Sequence, residues 1–453
     1  KFVITLGRCL DESHIKPDEI KAMSFSGQMH GLVCIDGKGN CVCPAIIWPD
    51  QRTGRTIESI YERLGRDFIN RQTQNTISTG FLIASLCWLY EERRDLYERI
   101  RYVMLPKDYL KYRLTGRVVT DYSDAAGSLA FNNEKLEWAF EMIERLGLDR
   151  NMFPPCESSA YIVGHVTGKA SGETGLGQSV MVVNGGSDQC MQSIGNGIIE
   201  PGIFASNIGT AGQISTIVTK PYYDTRLRTN TFAHVVDGCW NIMGACLTSG
   251  VSLKWLKNQI LEEKGYEIMN REGERIPPGC EGLLYLPYLS GERTPHQDSQ
   301  AKGLFSGLTL KHNRYHMVRA VMEGVAYSLK DCMAVVEGTG LTCKKVIAAG
   351  GGANSSLWLQ IQADILEQDI YKSITGEQAC MGAAMTAGVA AGVYDDFSQA
   401  CSQLVRLDSK VYHPIERHMQ VYRQYYPIFR ELYISNKNIF KSIDETNRRI
   451  SGS

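Results

Sequence analysis

The chain has 453 residues, which is more than one ordinary core holds and divides most simply into two domains, at most three. Hydrophobic residues make up 43% and charged residues 21%, and 48 basic side chains against 49 acidic ones leave a net charge of −1. That balance argues against a general nucleic-acid or polyanion binder.

Forty-four glycines beside 14 prolines suit tight turns between regular elements rather than disorder. The 14 cysteines are dispersed from Cys9 to Cys401, and a chain this long needs no disulfide framework. Cys41 and Cys43 form a C-x-C without a partner pair at zinc spacing, so reduced thiols are expected and no structural metal. No apolar run approaches the roughly 20 residues of a membrane helix, and no signal peptide is visible. A cytoplasmic protein without membrane contact is the simplest expectation. The first residue is Lys1, inside what reads as an element, so a missing start is also expected.

Residues 20–25 and 32–35 read as strands around GQMHG, with 41–48 as a further strand beyond the hairpin turn Asp36-Gly37-Lys38-Gly39. Helices are predicted over 53–66, 81–101, 107–114 and 134–147, with loop and turn over 124–131. The pattern then changes. A short apolar strand, 180–183, runs into Asn184-Gly185-Gly186-Ser187-Asp188 and a helix over 188–196. Residues 203–208 and 213–218 form a second hairpin across Gly209-Thr210-Ala211-Gly212. A helix over 248–263, a strand at 283–286 and a long amphipathic helix over 316–336 follow. A strand at 346–349 enters Gly350-Gly351-Gly352 and a helix through 366; helices at 379–392 and 414–434 complete the chain. The glycines and proline of 195–202 mark the best domain boundary.

Three glycine turns after strands are where α/β proteins place chemistry. Asp188 opens a helix, where the helix dipole alone favours an acid, but a carboxylate there can also take a proton from a substrate hydroxyl. Gly209-Thr210-Ala211-Gly212 is either a plain hairpin turn or a phosphate cradle of backbone N–H groups and a hydroxyl; no Walker motif is present. Gly350-Gly351-Gly352 permits close approach of a ligand or, equally, tight strand–helix packing. Gln28-Met29-His30-Gly31 offers donors and acceptors to a polyhydroxylated ligand, although a lone histidine is more often structural. The loop Ser290-Gly291-Glu292-Arg293-Thr294-Pro295-His296 reads as polar, with an internal Glu–Arg pair.

In this order GQMHG, PAIIWPDQRT, LPKDYLKYRLTG, DYSDAAGSLAF, GGSDQ, IGTAG, LPYLSGERTPH and GGGANS resemble the FGGY carbohydrate kinases over about residues 20–430. GLFSGL, seven residues and HMVRAVME resemble that family's C-terminal signature. The resemblance implies an α/β fold of two actin-like, ribonuclease H-like domains with a cleft between them. Residues 1–197 would be the sugar-binding domain, incomplete at its start. Residues 198–453 would be the ATP-binding domain with its C-terminal helix. Carried over, Asp188 would be the general base, with Gln28, Met29, His30 and Gln189 at the sugar. Gly209, Thr210, Gly250, Lys254, Gly351 and Gly352 would hold ATP, and Ser356 would stand where relatives often carry Asn. Pro49 likewise departs from a common Asn. ATP and Mg²⁺ are the implied cofactors, a sugar and ATP the implied partners, and a homodimer an assembly to test. The family's first phosphate loop precedes Lys1, so a chain truly starting there should be poorly soluble and inactive.

The expected activity is phosphorylation of a ketopentose, D-xylulose before others. Alternatives are a kinase for gluconate or another pentulose, a non-catalytic sugar- or nucleotide-binding relative, and, less favoured, a cytoskeletal actin relative.

Overall fold

The computed structural model describes residues 1–263 and 265–451. Its largest sheet has seven strands in the order Asn230–Ala233, Trp240–Cys246, Gly212–Val218, Ile203–Ile208, Lys345–Ala349, Ile370–Ser373, Leu407–Tyr412. The three central strands running from Ile203–Ile208 outward to Ile370–Ser373 are parallel, and the other pairings are antiparallel. Ile203–Ile208 is therefore where hairpin and parallel halves meet, and its C-terminal end delivers the Gly209 turn beside the glycines that follow Lys345–Ala349. Ligands collect at such carboxyl ends.

The helix Arg314–Glu337 packs on this sheet and is buried along most of its length, including Val318, Val321, Val325 and Leu329. Burying each such side chain contributes about 1.5–3 kcal/mol relative to leaving it in water. A three-stranded sheet, Ala22–Met23, Met181–Val183 and Ile162–His165, organises the N-terminal part. Next to it the short strands Ser26–Gly27 and Gly186–Ser187 pair in parallel, Gly186 opposite Ser26 and Ser187 opposite Gly27.

Helix packing and side-chain hydrogen bonds hold the N-terminal part to the large sheet. The helix Asp188–Gly195 packs along Gln378–Ala390, and Cys190, Met191 and Ile194 share one core with Ala383 and Met385. On the far edge, Asn75 mimics a strand. Its Nδ2 donates to the Thr231 carbonyl at 2.6 Å and its Oδ1 accepts the Thr231 N–H at 3.0 Å. Asn133 Nδ2 donates to the same carbonyl at 2.9 Å.

Several sequence expectations need correction. The loop and turn expected over 124–131 hold only for 128–130: Tyr122–Gly127 is a helix, because Asp121 caps it by accepting the N–H groups of Ser123 and Asp124. The helix expected over 134–147 shrinks to Phe140–Arg145, since Phe131–Asn132 pairs with Glu137–Trp138 as a small hairpin. Residues 41–48 make only the isolated bridges Ile35–Cys41 and Leu32–Ile46, with Pro44 between them unable to donate. The 81–101 helix breaks at Arg93. Arg66–Thr73 is an additional helix. Gly250–Trp255 passes into a π turn, Leu256–Ile260. The last helix runs on to Ser451 through Pro427. The opening residues form the helix Phe2–Ser13.

Candidate active site

The pairing of Ser26–Gly27 with Gly186–Ser187 carries both chains into turns at one point. One becomes Gln28-Met29-His30, the other Asp188-Gln189. Asp188 is half-buried at the first position of its helix, and its Oδ1 accepts the N–H of Gln189 at 2.8 Å. Burial raises its pKa above the ordinary carboxylate value, against that hydrogen bond. Gln189 Oε1 is buried without a protein partner. An orphaned acceptor of this kind is costly unless a ligand supplies the donor.

His30 has φ of 77°, an uncommon conformation for a non-glycine residue. The turn holds it there: its ring stacks on Phe81 at 3.8 Å between centroids, and Phe232 lies 6.1 Å away. Nδ1 donates to the Gly127 carbonyl at 2.7 Å, which fixes the tautomer and leaves Nε2 as an acceptor. Burial lowers the imidazole pKa to about 4, with the Arg293 charge pushing the same way, so the ring is neutral near pH 7. Met29 is a core residue with its side chain against Gly127, whereas Gln28 is exposed.

Beneath this turn lies a buried ionic cluster that sequence reasoning did not find. Lys107 Nζ sits 2.7 Å from Asp108, 2.7 Å from Asp121 and 3.4 Å from Asp124. Lys111 Nζ lies 2.8 Å from Asp108 and donates to Asn184. Burial opposes the Lys107 ammonium, but the three carboxylates outweigh it and hold its pKa well above the usual range. Lys111 falls to about 8 because burial outweighs Asp108. Burial pushes Asp124 well up, and neither of its oxygens has a hydrogen-bond donor. Asp121 also accepts from Ser159 Oγ at 3.0 Å, and the Ser123 hydroxyl bonded to it accepts the Ser187 N–H at 3.0 Å. The cluster thus reaches the residue preceding Asp188. Its sequence signal was the charge in LPKDYLK and DYSD, which at helical spacing reads equally as a solvated face.

At the end of the large sheet a cavity of about 600 Å³ is lined by Gly209, Thr210, Gly250, Lys254, Gly351 and Gly352, together with Asn270, Asn354, Ser355 and Trp358. The Thr210 turn is exposed and buttressed from behind: Ser249 N–H donates to the Thr210 carbonyl at 3.1 Å and Gly250 N–H to the Gly209 carbonyl at 3.0 Å. A Cβ on Gly250 would overlap that Gly209 carbonyl, and one on Gly352 would lie 2.6 Å from Ile208 Cβ. These glycines keep the cradle walls in contact with each other. Ser356 is not in this cavity. Its Oγ accepts from the Tyr412 hydroxyl at 3.1 Å and it lines a different recess. Its neighbour Ser355 faces the cavity instead, with Oγ 2.8 Å from Asn270 Oδ1, because it caps the helix Ser356–Leu366.

The cavity and its glycine walls fit a nucleotide. Among the described residues no three His, Cys, Asp or Glu side chains converge as a metal cage. The 14 cysteines are free thiols, and among the described residues no helix is long and apolar enough to cross a membrane.

The family model for the FGGY family of carbohydrate kinases, N-terminal domain, matches residues 2–195, and that for the C-terminal domain matches 205–391. A xylulose kinase of Staphylococcus xylosus is 35% identical over 93% of this chain and 87% of its own. The crystal structure of a xylulose-type kinase from Brucella ovis superposes with a TM-score of 0.88 at 28% identity, covering 95% of this chain and 88% of that one. A gluconate kinase structure from Lactobacillus acidophilus gives 0.87 at 26% identity, covering 94% and 86%.

Proposed function

Because the chain belongs to the FGGY family of carbohydrate kinases, and is a sugar kinase of the two-domain actin-like, ribonuclease H-like fold, we propose that it transfers the γ-phosphoryl group of ATP to a ketopentose, D-xylulose before others. The observation that carries this reading is the parallel pairing of Ser26–Gly27 with Gly186–Ser187, which sets the turn bearing His30 beside the turn bearing Asp188 and Gln189. It offers a base and two acceptors, the set a polyol needs. The boundary between a sugar-binding domain, 1–197, and an ATP-binding domain, 198–453, belongs to the same proposal, as do a cytoplasmic location and a homodimer.

In this reading Asp188 takes the proton from the attacking sugar hydroxyl. Its raised pKa makes it a stronger base than an exposed carboxylate. Neutral His30 accepts a second sugar hydroxyl at Nε2, and the buried Gln189 Oε1 accepts a third. Thr210 and the Gly209 turn hold phosphate oxygens, and Lys254 stands on the same cavity wall. The stiffness of these parts supports catalysis by positioning, which is most of what phosphoryl transfer asks of a protein.

The test is a coupled ADP-release assay over D-xylulose, D-ribulose, L-ribulose and gluconate. A preference for D-xylulose in kcat/KM is expected, giving D-xylulose 5-phosphate. A preference for gluconate would favour the second reading, which the Lactobacillus acidophilus gluconate kinase keeps in view. Calorimetric binding of sugar and ATP without turnover would favour a non-catalytic role.

A further inference from the structure

The loop 290–296 is built with unusual rigidity around one residue that makes no use of it. Thr294 N–H donates to the Ala245 carbonyl at 3.0 Å, and its hydroxyl accepts the Ala245 N–H at 3.0 Å while donating to the Arg228 carbonyl at 2.6 Å. Glu292 pairs through its backbone with Asp298, at 2.8 and 2.9 Å. Its side chain is 2% exposed, and Oε1 accepts both the Leu247 N–H at 2.9 Å and the Arg293 N–H at 2.7 Å. Oε2 has no protein partner, and burial raises this carboxyl to about 8. Burying a carboxyl half-satisfied is expensive. What it achieves here is to fix the backbone of Arg293.

Arg293 itself is exposed and has no carboxylate in ion-pair contact among the described residues. The internal Glu–Arg pair expected from the sequence therefore does not form between side chains: Glu292 binds the Arg293 backbone instead. Its placement is informative. Through Glu292 it is tied to Leu247, the start of the 247–250 run whose Ser249 and Gly250 buttress the Thr210 turn. The Arg293 charge adds a small contribution to the lowered pKa of His30, behind burial. The backbone of Arg293 is thus fixed beside the run that buttresses the phosphate turn, in the half of the molecule that carries the nucleotide cavity, and its exposed side chain has no carboxylate partner among the described residues.

We propose that Arg293 is a catalytic residue that contacts the transferring phosphoryl group, an inference that rests on the sugar-kinase reading. In the reaction the sugar oxygen bonds to the γ-phosphorus, the bond to the β–γ bridging oxygen breaks, its electron pair leaves on ADP, and the hydroxyl proton goes to Asp188. The negative charge on the equatorial oxygens is what a planar fork of five N–H donors neutralises best. A guanidinium carried on a backbone held in place can stabilise the transition state more than either ground state.

The experiment compares wild type, Arg293→Ala and Arg293→Lys by steady-state kinetics with ATP and D-xylulose, with melting curves alongside. Loss of one such contact typically lowers kcat by about 10²–10³-fold. That loss is expected for Arg293→Ala, with the sugar KM within about threefold of wild type, an unchanged melting temperature and partial rescue by added guanidinium ion. Arg293→Lys should fall between, since a point charge replaces the fork. An unchanged kcat, or a loss confined to the sugar KM, overturns the role while leaving the kinase reading intact. A wild-type protein that phosphorylates no sugar in the panel overturns both.

Discussion

Replacing Lys107 by methionine keeps most of the unbranched side chain and removes its charge. In the native protein three buried carboxylates, Asp108, Asp121 and Asp124, share two buried ammonium groups, Lys107 and Lys111. After the change Lys111 alone remains, and it touches Asp108. Asp121 keeps donors from Ser123 and Ser159, but Asp124 keeps none. Removing one partner of a buried ion pair costs about 3–5 kcal/mol because the other charge stays buried. For a domain of this size that lowers the melting temperature by on the order of 10 °C. The pH dependence carries a sign. Asp124 already has a raised native pKa, so its contribution is fully present below the unfolded carboxylate value and is lost as pH rises. Without Lys107 the neighbouring carboxylates are pushed the same way, and the deficit should be larger at pH 8 than at pH 5. Urea unfolding of wild type, Lys107→Met and Lys107→Met/Asp124→Leu at both pH values measures this. The double variant restores charge balance and should regain part of the loss. A Lys107→Met deficit under about 1 kcal/mol, equal at the two pH values, would refute the account of the cluster.

Asp188→Asn is nearly isosteric but accepts no proton, so kcat should fall by about 10²–10⁴-fold while sugar binding and melting temperature hold; near-normal turnover would remove Asp188 as base. Because burial raises the Asp188 pKa, the acid limb of kcat should lie above the ordinary carboxylate range, and an acid limb at or below it would count against that role. His30→Ala should weaken D-xylulose binding by roughly 1–3 kcal/mol and leave ATP affinity alone, as calorimetry can read. Since His30 is neutral down to about pH 4, wild-type sugar affinity should not change between pH 6 and 8 through this residue. Gly250→Val would drive a side chain into the Gly209 carbonyl and displace the Thr210 turn, so ATP affinity should fall at least tenfold with sugar affinity preserved.

The sequence by itself determined the local devices. The apolar strand, glycine turn and Asp188 helix are specified by neighbours in the chain, and the structure forms them at Met181–Val183 and Asp188–Gly195. The hairpin across Gly209-Thr210-Ala211-Gly212 and the glycines after Lys345–Ala349 were legible for the same reason: strand periodicity and glycine punctuation act over a few residues. The order of motifs along the chain carried the family. What required tertiary structure is everything decided by residues far apart. Nothing local marks Lys107 and Asp121 as partners; the fold brings them together and buries both. A capping aspartate turned the first part of the expected loop at 124–131 into a helix, Tyr122–Gly127, whose end receives His30. Ser355 and Ser356 are neighbours that sequence cannot separate, yet the cap position sends the first into the cavity and the second to Tyr412. Arg293 looked paired with Glu292, but a backbone 45 residues away, at Leu247, captured the carboxylate and left no ion pair between the two side chains. Local propensity is set by the chain's own neighbours; partners for buried charges are set by which distant segments the core brings together.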